Sequence, residues 1–195
     1  MSQFTITTTP IEGLLIIEPT KYGADREFFF DLDNQELFAS FGIPEIFIDN
    51  NIDRYPRGVI KGLHFQRENS QAKLITALTG AVLDVAVDLR PESKTYGASH
   101  AIELSEENER MFYIPPRFAH GFLSLEAGTE LAFKCSNSEH IPSNESGVMW
   151  NDQVLAINWQ FERYDIDEKW LNIDRRDKKQ PSFWQLNPAN LWVRG

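Results

Sequence analysis

Cysteine is nearly absent from this chain of 195 residues, which contains only Cys135. A single cysteine excludes an internal disulfide framework and a zinc site built from cysteines. Apolar runs are also short, and no stretch approaches the roughly 18 residues that a membrane-spanning helix needs. Residues 1–9 lack the basic and apolar regions of a signal peptide. We therefore expect a cytoplasmic protein with no membrane partner.

Positive charge is in deficit, because 19 Lys and Arg residues face 29 Asp and Glu residues, for a net charge of −10. Such a chain repels polyanions, so we expect no nucleic-acid partner. A small anion can still be bound by a local cluster of cations. At about 150 residues per domain, the length predicts one domain over residues 1–195, with a core at about 10–160 and a helical segment at about 161–195.

Alternation of apolar and polar residues is clearest over residues 81–89, where the odd-numbered positions form one apolar face. Residues 35–40 are compatible with one or two helical turns. Many short strands separated by turns predict an antiparallel sandwich or barrel. Further strands are predicted at residues 14–18, 43–48, 112–114, 118–125 and 131–136. From about Phe161, tryptophans and charges replace the alternation, which predicts short helices and a tail that packs on the barrel.

Histidines are few, at positions 64, 100, 120 and 140. His64 and His120 lie in apolar, strand-like segments with glycines close by, whereas the other two lie in polar segments and are expected to be solvated. One buried histidine is usually structural, but two in such surroundings favour a site. The chain has no His-x-His pair and no HExxH motif, so we expect no metal. What remains is acid–base chemistry, with a histidine base, an orienting carboxylate and a nearby cation.

Lys61 is a candidate for that cation, because apolar pairs flank it on both sides. Strict strand alternation would place Lys61 and His64 on opposite faces. A bulge at Gly62 would bring the two side chains together.

The segments around these residues resemble the dTDP-4-dehydrorhamnose 3,5-epimerase family. Residues 58–66, GVIKGLHFQ, resemble its GVLRGLHFQ signature. The other similar segments are 25–31, 73–74, 84–90, 114–115, 118–122, Glu145, 150–152, 157–159 and 173–181. The resemblance runs in order over about residues 10–185.

This resemblance implies an all-β, cupin-type jelly-roll barrel with short C-terminal helices, assembled as a homodimer with exchanged strands. It also implies a nucleotide-diphosphate-linked 4-keto-6-deoxyhexose as substrate, with no metal and no cofactor. By position, His64 would remove the proton beside the C4 ketone, Asp177 would orient His64, and Lys73 would stabilise the enolate oxygen. The other implied substrate-binding positions are Arg26 and Lys61 at the diphosphate, His120 and Asp84 along the site, and Asp31, Asp49, Asn51, Gln66, Phe133 and Glu145 around the nucleotide or pocket.

Several positions depart from the family pattern, including Glu27, Arg117 and residues 137–140, and three others bear directly on the chemistry. Phe133 replaces a tyrosine that acts as the opposite-face acid, and phenylalanine has no proton to donate. Lys61 replaces an arginine and so loses a bidentate fork to phosphate. Asp49 replaces a glutamine; a carboxylate only accepts hydrogen bonds, which favours the exocyclic amine of cytosine, so CDP becomes an alternative to dTDP.

Three functions follow from these departures. The first is an epimerase that inverts C3 only, in sugar biosynthesis for a surface polysaccharide of the O-antigen type. The second is the full 3,5-epimerase, with the lost acid replaced. The third is a nucleotide-sugar-binding protein without activity. Retention of His64, Lys73 and Asp177 favours an active enzyme. Ketoisomerisation from the same enolate is disfavoured by the GLHFQ context.

Overall fold

Two antiparallel sheets form the body of the protein in a computed structural model, which describes residues 4–20, 35–136, 144–188 and 191–192. In spatial order, the first sheet contains β1 (Phe4–Thr8), β2 (Leu15–Pro19), β8 (Met111–Ile114), β5 (Lys73–Thr79), β10 (Thr129–Cys135) and β3 (Asp49–Tyr55). The second contains β11 (Glu145–Gly147), β4 (Val59–Gln66), β9 (Phe118–Ser124), β6 (Ala81–Asp88) and β7 (Ser99–Ser105). A short strand, β12 (Asn172–Ile173), runs parallel to β4. The predicted all-β architecture is confirmed.

Helical structure in the described part of the chain is limited to short pieces. Helix α1 (Gln35–Ser40) buries Phe38, and its bounds match the predicted turns. The C-terminal segment contains three 3-10 turns at Glu168–Trp170, Asp177–Lys179 and Phe183–Gln185. The predicted short C-terminal helices are therefore present as single 3-10 turns. No helix in the described ranges is long and apolar enough to cross a membrane.

Strand β6 is buried on both faces. Leu83, Val85 and Val87 pack into a cluster that includes Trp159 and other C-terminal residues, while Val82 and Ala86 face the space between the sheets. The predicted apolar face of odd-numbered residues is confirmed, and the C-terminal segment covers it on the outer side of the second sheet. A sequence pattern reports alternation but not what later covers a face.

The segment 43–48 forms no strand, contrary to expectation. Pro44 has no backbone N–H to donate to a neighbouring strand, and sheet pairing begins only at Asp49. Ile43 and Phe47 are buried, whereas Ile46 and Ile48 are more than half exposed, so the segment is anchored in the core without pairing as a strand. Residues 28–30, an aromatic run, lie outside the described ranges.

The C-terminal segment packs on the second sheet. Leu186 and Leu191 are buried among the side chains of β4, β6 and β9, and the Trp192 Nε1–H donates to the carbonyl of Leu89 at 3.0 Å. β12 joins the edge of β4, which brings the following turn at Asp177–Lys179 beside the middle of that strand. This packing carries a C-terminal carboxylate to the centre of the barrel.

Candidate active site

A cavity of about 310 Å³ lies between the two sheets. The second sheet contributes His64 and His120 to its wall, and the first sheet contributes Lys73 and Phe133. A neighbouring recess shares Lys61 and His64 with this cavity and extends to the C-terminal segment. The residues that the sequence singled out on distant segments therefore meet in one place.

His64 forms a close acid–base contact with Asp177, which lines the neighbouring recess. His64 Nε2 lies 2.6 Å from Asp177 Oδ1, and Asp177 Oδ2 accepts a hydrogen bond from the backbone N–H of Gly62 at 2.9 Å. The Asp177 side chain is 1% exposed and the His64 side chain 11%. Burial alone raises the pKa of Asp177, but the hydrogen bonds from His64 and Gly62 outweigh it and hold that pKa below its usual range. The ionised carboxylate therefore fixes the imidazole orientation.

The predicted bulge at Gly62 is present. The pairing of β4 with β9 shifts register between Lys61 and His64, and both side chains line the cavity. A Cβ at Gly62 would lie 2.6 Å from the His120 carbonyl oxygen, and one at Gly121 would lie 2.6 Å from the Lys61 carbonyl oxygen. Only glycine allows the two strands to approach this closely beside the histidines.

The second nitrogen of His64 faces Glu145. His64 Nδ1 lies 3.4 Å from Glu145 Oε1, and the Arg176 guanidinium donates to both Glu145 oxygens at 2.6 and 3.0 Å. Arg176 Nη2 also lies 3.3 Å from His64 Nε2. Sequence reasoning did not single out Arg176; its position directly before Asp177 was the available signal.

His120 and Asp84 form a second, more buried pair. His120 Nε2 lies 3.0 and 2.9 Å from the two Asp84 oxygens, and their side chains are 6% and 0% exposed. Burial holds the pKa of His120 below its ordinary value, and the nearby Lys73 and His64 act in the same direction, against Asp84. A neutral His120 that donates to Asp84 fits this arrangement.

Lys73 begins β5 and lines the cavity. Within the described ranges, its ammonium group makes no hydrogen bond and no ion pair, although its charge acts on His120 and Cys135. Lys61 differs, because its Nζ donates to the Tyr55 hydroxyl at 3.0 Å and lies 3.6 Å from Asp53 Oδ2. Lys73 is therefore the better placed cation for a charge that develops in the cavity.

The remaining predicted positions divide into two groups. The cavity wall includes Asp49, Asn51, Gln66 and Phe133, and it also includes Cys135, which was not singled out as a site residue. Arg26 and Asp31 lie outside the described ranges, as does His140. His100 was expected to be solvated, but it is half-buried against Phe112, and burial lowers its pKa.

This geometry defines a class of protein: a double-sheet β barrel whose cavity combines a carboxylate-oriented histidine with a lysine cation. In the described ranges, no group of three or more His, Cys, Asp or Glu residues could hold a metal ion. The arrangement is suited to removing a proton beside a carbonyl and stabilising the resulting enolate. The chain belongs to the dTDP-4-dehydrorhamnose 3,5-epimerase family, whose model matches residues 8–185.

Similar proteins support this assignment over most of the chain. The dTDP-4-dehydrorhamnose 3,5-epimerase of Methanothermobacter thermautotrophicus is 41% identical over 175 residues, which cover 88% of this chain and 94% of the relative. The Legionella pneumophila structure of dTDP-6-deoxy-D-glucose-3,5-epimerase, in complex with dTDP-4-keto-L-rhamnose, matches with a TM-score of 0.87 at 36% identity and 98% coverage of both chains. A 3'-monoepimerase from Streptomyces bikiniensis in complex with dTDP-quinovose matches with a TM-score of 0.78 at 27% identity, covering 94% of this chain and 90% of that one. These likenesses confirm the cupin-type jelly roll.

Proposed function

We propose that this chain is an epimerase that acts on a nucleoside-diphosphate-linked 4-keto-6-deoxyhexose and inverts C3, within deoxysugar biosynthesis for a surface polysaccharide. The observation that carries the proposal is the pairing of His64 with Asp177 on one wall of the cavity that Lys73 lines from the other sheet. The names and ligands of the related proteins support the substrate class. The reaction moves only protons, so the proposal assigns no cofactor.

His64 acts as the base in this proposal. We assign the hydrogen of Nε2 to Asp177, whose Oδ1 lies 2.6 Å away, and this tautomer leaves Nδ1 as the proton acceptor. A proton beside a ketone is weakly acidic, and a positioned base accelerates its removal by about 10²–10⁴-fold. Asp177 then stabilises the imidazolium that forms.

Lys73 stabilises the charge that develops on the ketone oxygen. Its ammonium lines the cavity without an ion pair in the described ranges, so no carboxylate offsets its charge locally. The charge of Lys73 acts on His120, whose imidazole is held by Asp84. His120 thereby restricts the orientation of the sugar in the cavity. Stabilisation by such a preorganised cation is usually the larger contribution to the rate.

Inversion of C3 alone is the finer part of the proposal. It rests on Phe133, which lines the cavity opposite His64 and has no proton to give. The Streptomyces bikiniensis relative, a 3'-monoepimerase with the same fold, makes this fold compatible with inversion of one centre. The full 3,5-epimerase is the second candidate, favoured by the names of relatives that are about 40% identical.

Deuterium incorporation tests the function directly. The protein is incubated with a nucleotide-linked 4-keto-6-deoxyhexose in D₂O, and the sugar is analysed by mass spectrometry and NMR. One deuterium at C3 with inversion is the expected result. Deuterium at both C3 and C5 would support the 3,5-epimerase instead, and tight binding without exchange would reject an enzymatic function. If Phe133 restricts the reaction, Phe133→Tyr adds exchange at C5.

Asp49 bears on which nucleotide is bound. Its carboxylate lines the cavity and only accepts hydrogen bonds, which favours an amine such as that of cytosine over a carbonyl. The related complexes contain dTDP-sugars, which favours thymidine. Titration with dTDP, UDP, GDP and CDP separates the two, and Asp49→Gln is the matched variant. A preference for CDP that Asp49→Gln shifts toward dTDP would support the amine-reading role, and a wild-type preference for dTDP would reject it.

We also propose that the chain forms a homodimer. Ile46, Ile48 and Ile52 are 54–65% exposed beside β3, the edge strand of the first sheet in the described ranges. An apolar patch along an open strand edge favours association. Light scattering during size-exclusion chromatography should give twice the chain mass of 22.5 kDa; a value of one chain mass would reject the dimer.

A further inference from the structure

Tyr55 lies on the first sheet and lines the recess that adjoins the main cavity and that His64 also lines. An epimerase that removes a proton from one face of a carbon must return a proton to the other face, or the centre is not inverted. His64 belongs to the second sheet, so a donor on the first sheet, which faces it, is placed to return the proton to the opposite side. Phe133 lies on that sheet and has no proton to donate.

Tyr55 and Phe133 lie on the same face of neighbouring strands. Antiparallel pairing of β3 with β10 places Asn51 opposite Phe133 and Tyr55 opposite Thr129. Alternate residues of a strand share a face, and both Asn51 and Asp53 line the main cavity. Tyr55 is the next residue in this row, and it lines the adjoining recess together with His64.

Aromatic contacts connect the two positions across the barrel. The rings of Phe133 and Phe122 are 6.2 Å apart, and those of Phe122 and Tyr55 are 4.8 Å apart in an edge-on arrangement. Phe122 belongs to β9 and lies opposite Lys61 in the strand register. Tyr55 therefore lies two same-face positions along β3 from Asn51, the residue opposite Phe133, and its ring packs against the strand next to the one that carries His64.

The hydroxyl of Tyr55 is both protonated and able to be reprotonated. It donates to Asp53 Oδ2 at 2.8 Å and accepts from Lys61 Nζ at 3.0 Å. Burial raises the pKa of Tyr55, and the hydrogen bond and charge of Asp53 add to this effect. The Lys61 side chain is 45% exposed, so it can exchange protons with water.

We propose that the Tyr55 hydroxyl is the proton donor from the wall opposite His64. This inference rests on the epimerase function proposed above. His64 takes the proton from the carbon beside the ketone, and the enolate re-forms its C–H bond with the proton of the Tyr55 hydroxyl. Lys61 then gives a proton to the phenolate and regains one from water, while His64 releases its proton to water. Protons balance over one turnover and no electron is exchanged with another reagent.

The other tyrosines of the described ranges do not line these two cavities. Tyr113 donates to Glu45, Tyr164 donates to Glu103, and Tyr96 stacks on Phe183. Cys135 also lines the main cavity, and burial raises the pKa of its thiol. Tyr55 is favoured over Cys135 because a cation within hydrogen-bonding distance can stabilise and reprotonate its conjugate base.

The test separates removal of a proton from inversion. Wild type, Tyr55→Phe, Cys135→Ser and the matched control Tyr164→Phe are each incubated with substrate in D₂O. For Tyr55→Phe we expect epimer formation to fall by about 10²–10⁴-fold, while deuterium still enters the recovered substrate without inversion. Wild type and Tyr164→Phe should give deuterated epimer at similar rates. Titration of Tyr55→Phe with dTDP should give wild-type affinity, which shows that the site remains folded.

Each alternative result has a defined meaning. Epimer formation by Tyr55→Phe at the wild-type rate would overturn the assignment of Tyr55 while leaving the epimerase function intact. Loss of inversion in Cys135→Ser, with Tyr55→Phe unaffected, would transfer the role to the thiol. Absence of any exchange in wild type would instead overturn the proposed function itself, and the role of Tyr55 with it.

Discussion

The protein contains two histidine–aspartate pairs on neighbouring strands, His64–Asp177 and His120–Asp84. The two histidines lie directly opposite each other in the pairing of β4 with β9. Both imidazoles contact their carboxylates within hydrogen-bonding distance, at 2.6 Å in one pair and at 2.9 and 3.0 Å in the other. The residue types are the same, so any difference in role must come from the surroundings.

The surroundings differ in solvent access and in the origin of the carboxylate. Asp84 belongs to β6 within the same sheet, and both members of its pair are almost fully buried. Asp177 comes from the C-terminal segment, and its histidine also faces Glu145 and the half-exposed Arg176. The His64 pair therefore has one side open to a ligand, whereas the His120 pair is enclosed. Reactivity here depends on which part of the chain supplies the carboxylate: Asp177 enters the barrel from the C-terminal segment, whereas Asp84 lies within the sheet.

Replacing each histidine by asparagine should separate the two roles most strongly. We expect His64→Asn to lower deuterium exchange beside the ketone by at least about 10²–10⁴-fold, because the base is lost. We expect His120→Asn to retain measurable exchange and to lose stability instead. The comparison requires exchange rates and urea unfolding for both variants, with His100→Asn as a control outside the cavity. Exchange at the wild-type rate in His64→Asn would refute the base assignment.

Replacing the aspartates should show the same contrast, with the larger loss of stability in the His120–Asp84 pair. Asp84→Asn leaves the buried His120 without its charged acceptor, so we expect the free energy of unfolding to fall by about 1–3 kcal/mol. Asp177→Asn should cost less stability, because Arg176 and solvent remain near His64, but it should lower the exchange rate. Chemical denaturation of both variants, with exchange rates in parallel, measures this. A larger stability loss for Asp177→Asn would make the His64 pair the structural one.

Sequence reasoning could predict the histidine pairs only in part. The alternation over residues 81–89 placed Asp84 on the face opposite Leu83, and the structure confirms that face. From the sequence, a bulge at Gly62 was only a requirement for Lys61 and His64 to lie on the same side. It could not be established, because it depends on the close contact with Gly121. Asp177 lies 113 residues from His64, so no local pattern connects them; only the family resemblance did.

Two other features were not predictable because they depend on tertiary packing. The outer face of β6 is covered by C-terminal side chains such as Trp159, a contact that strand periodicity does not contain. Tyr55 and Arg176 enter the site through the register of β3 with β10 and through the parallel pairing of β12 with β4. Periodicity indicates that residues share a face, but it does not indicate which cavity that face meets.

The two pairs should also differ in how stability depends on pH. Burial lowers the pKa of folded His120 below its unfolded value of 6.5. As the pH falls below that value, the unfolded chain binds a proton that the folded chain does not, so stability falls by up to about 1.4 kcal/mol per pH unit. Asp177 has a lowered pKa, so its stabilisation is complete above 3.8 and is lost as the pH falls through the folded value.

Comparing urea unfolding of wild type and His120→Asn between about pH 7 and pH 5 isolates the His120 contribution, since the lowered pKa of His100 affects both proteins and the Asp177 window lies at lower pH. We expect the curve for His120→Asn to be flatter than that for wild type in this range. Parallel curves for the two proteins would mean that His120 titrates equally in the folded and unfolded chains. In that case burial would not be what distinguishes this pair from the His64 pair.

Arg176→Gln should have the smallest effect, and it examines the open side of the His64 pair. The Arg176 side chain is 53% exposed, although it donates to both oxygens of Glu145. Half-exposed ion pairs contribute little, because solvent screens the charges, so we expect the free energy of unfolding to fall by about 0.2–1 kcal/mol. A loss as large as that of Asp84→Asn would show that Arg176 closes the His64 pair structurally. The contrast between an open and an enclosed pair would then fail, because both would depend on buried charge.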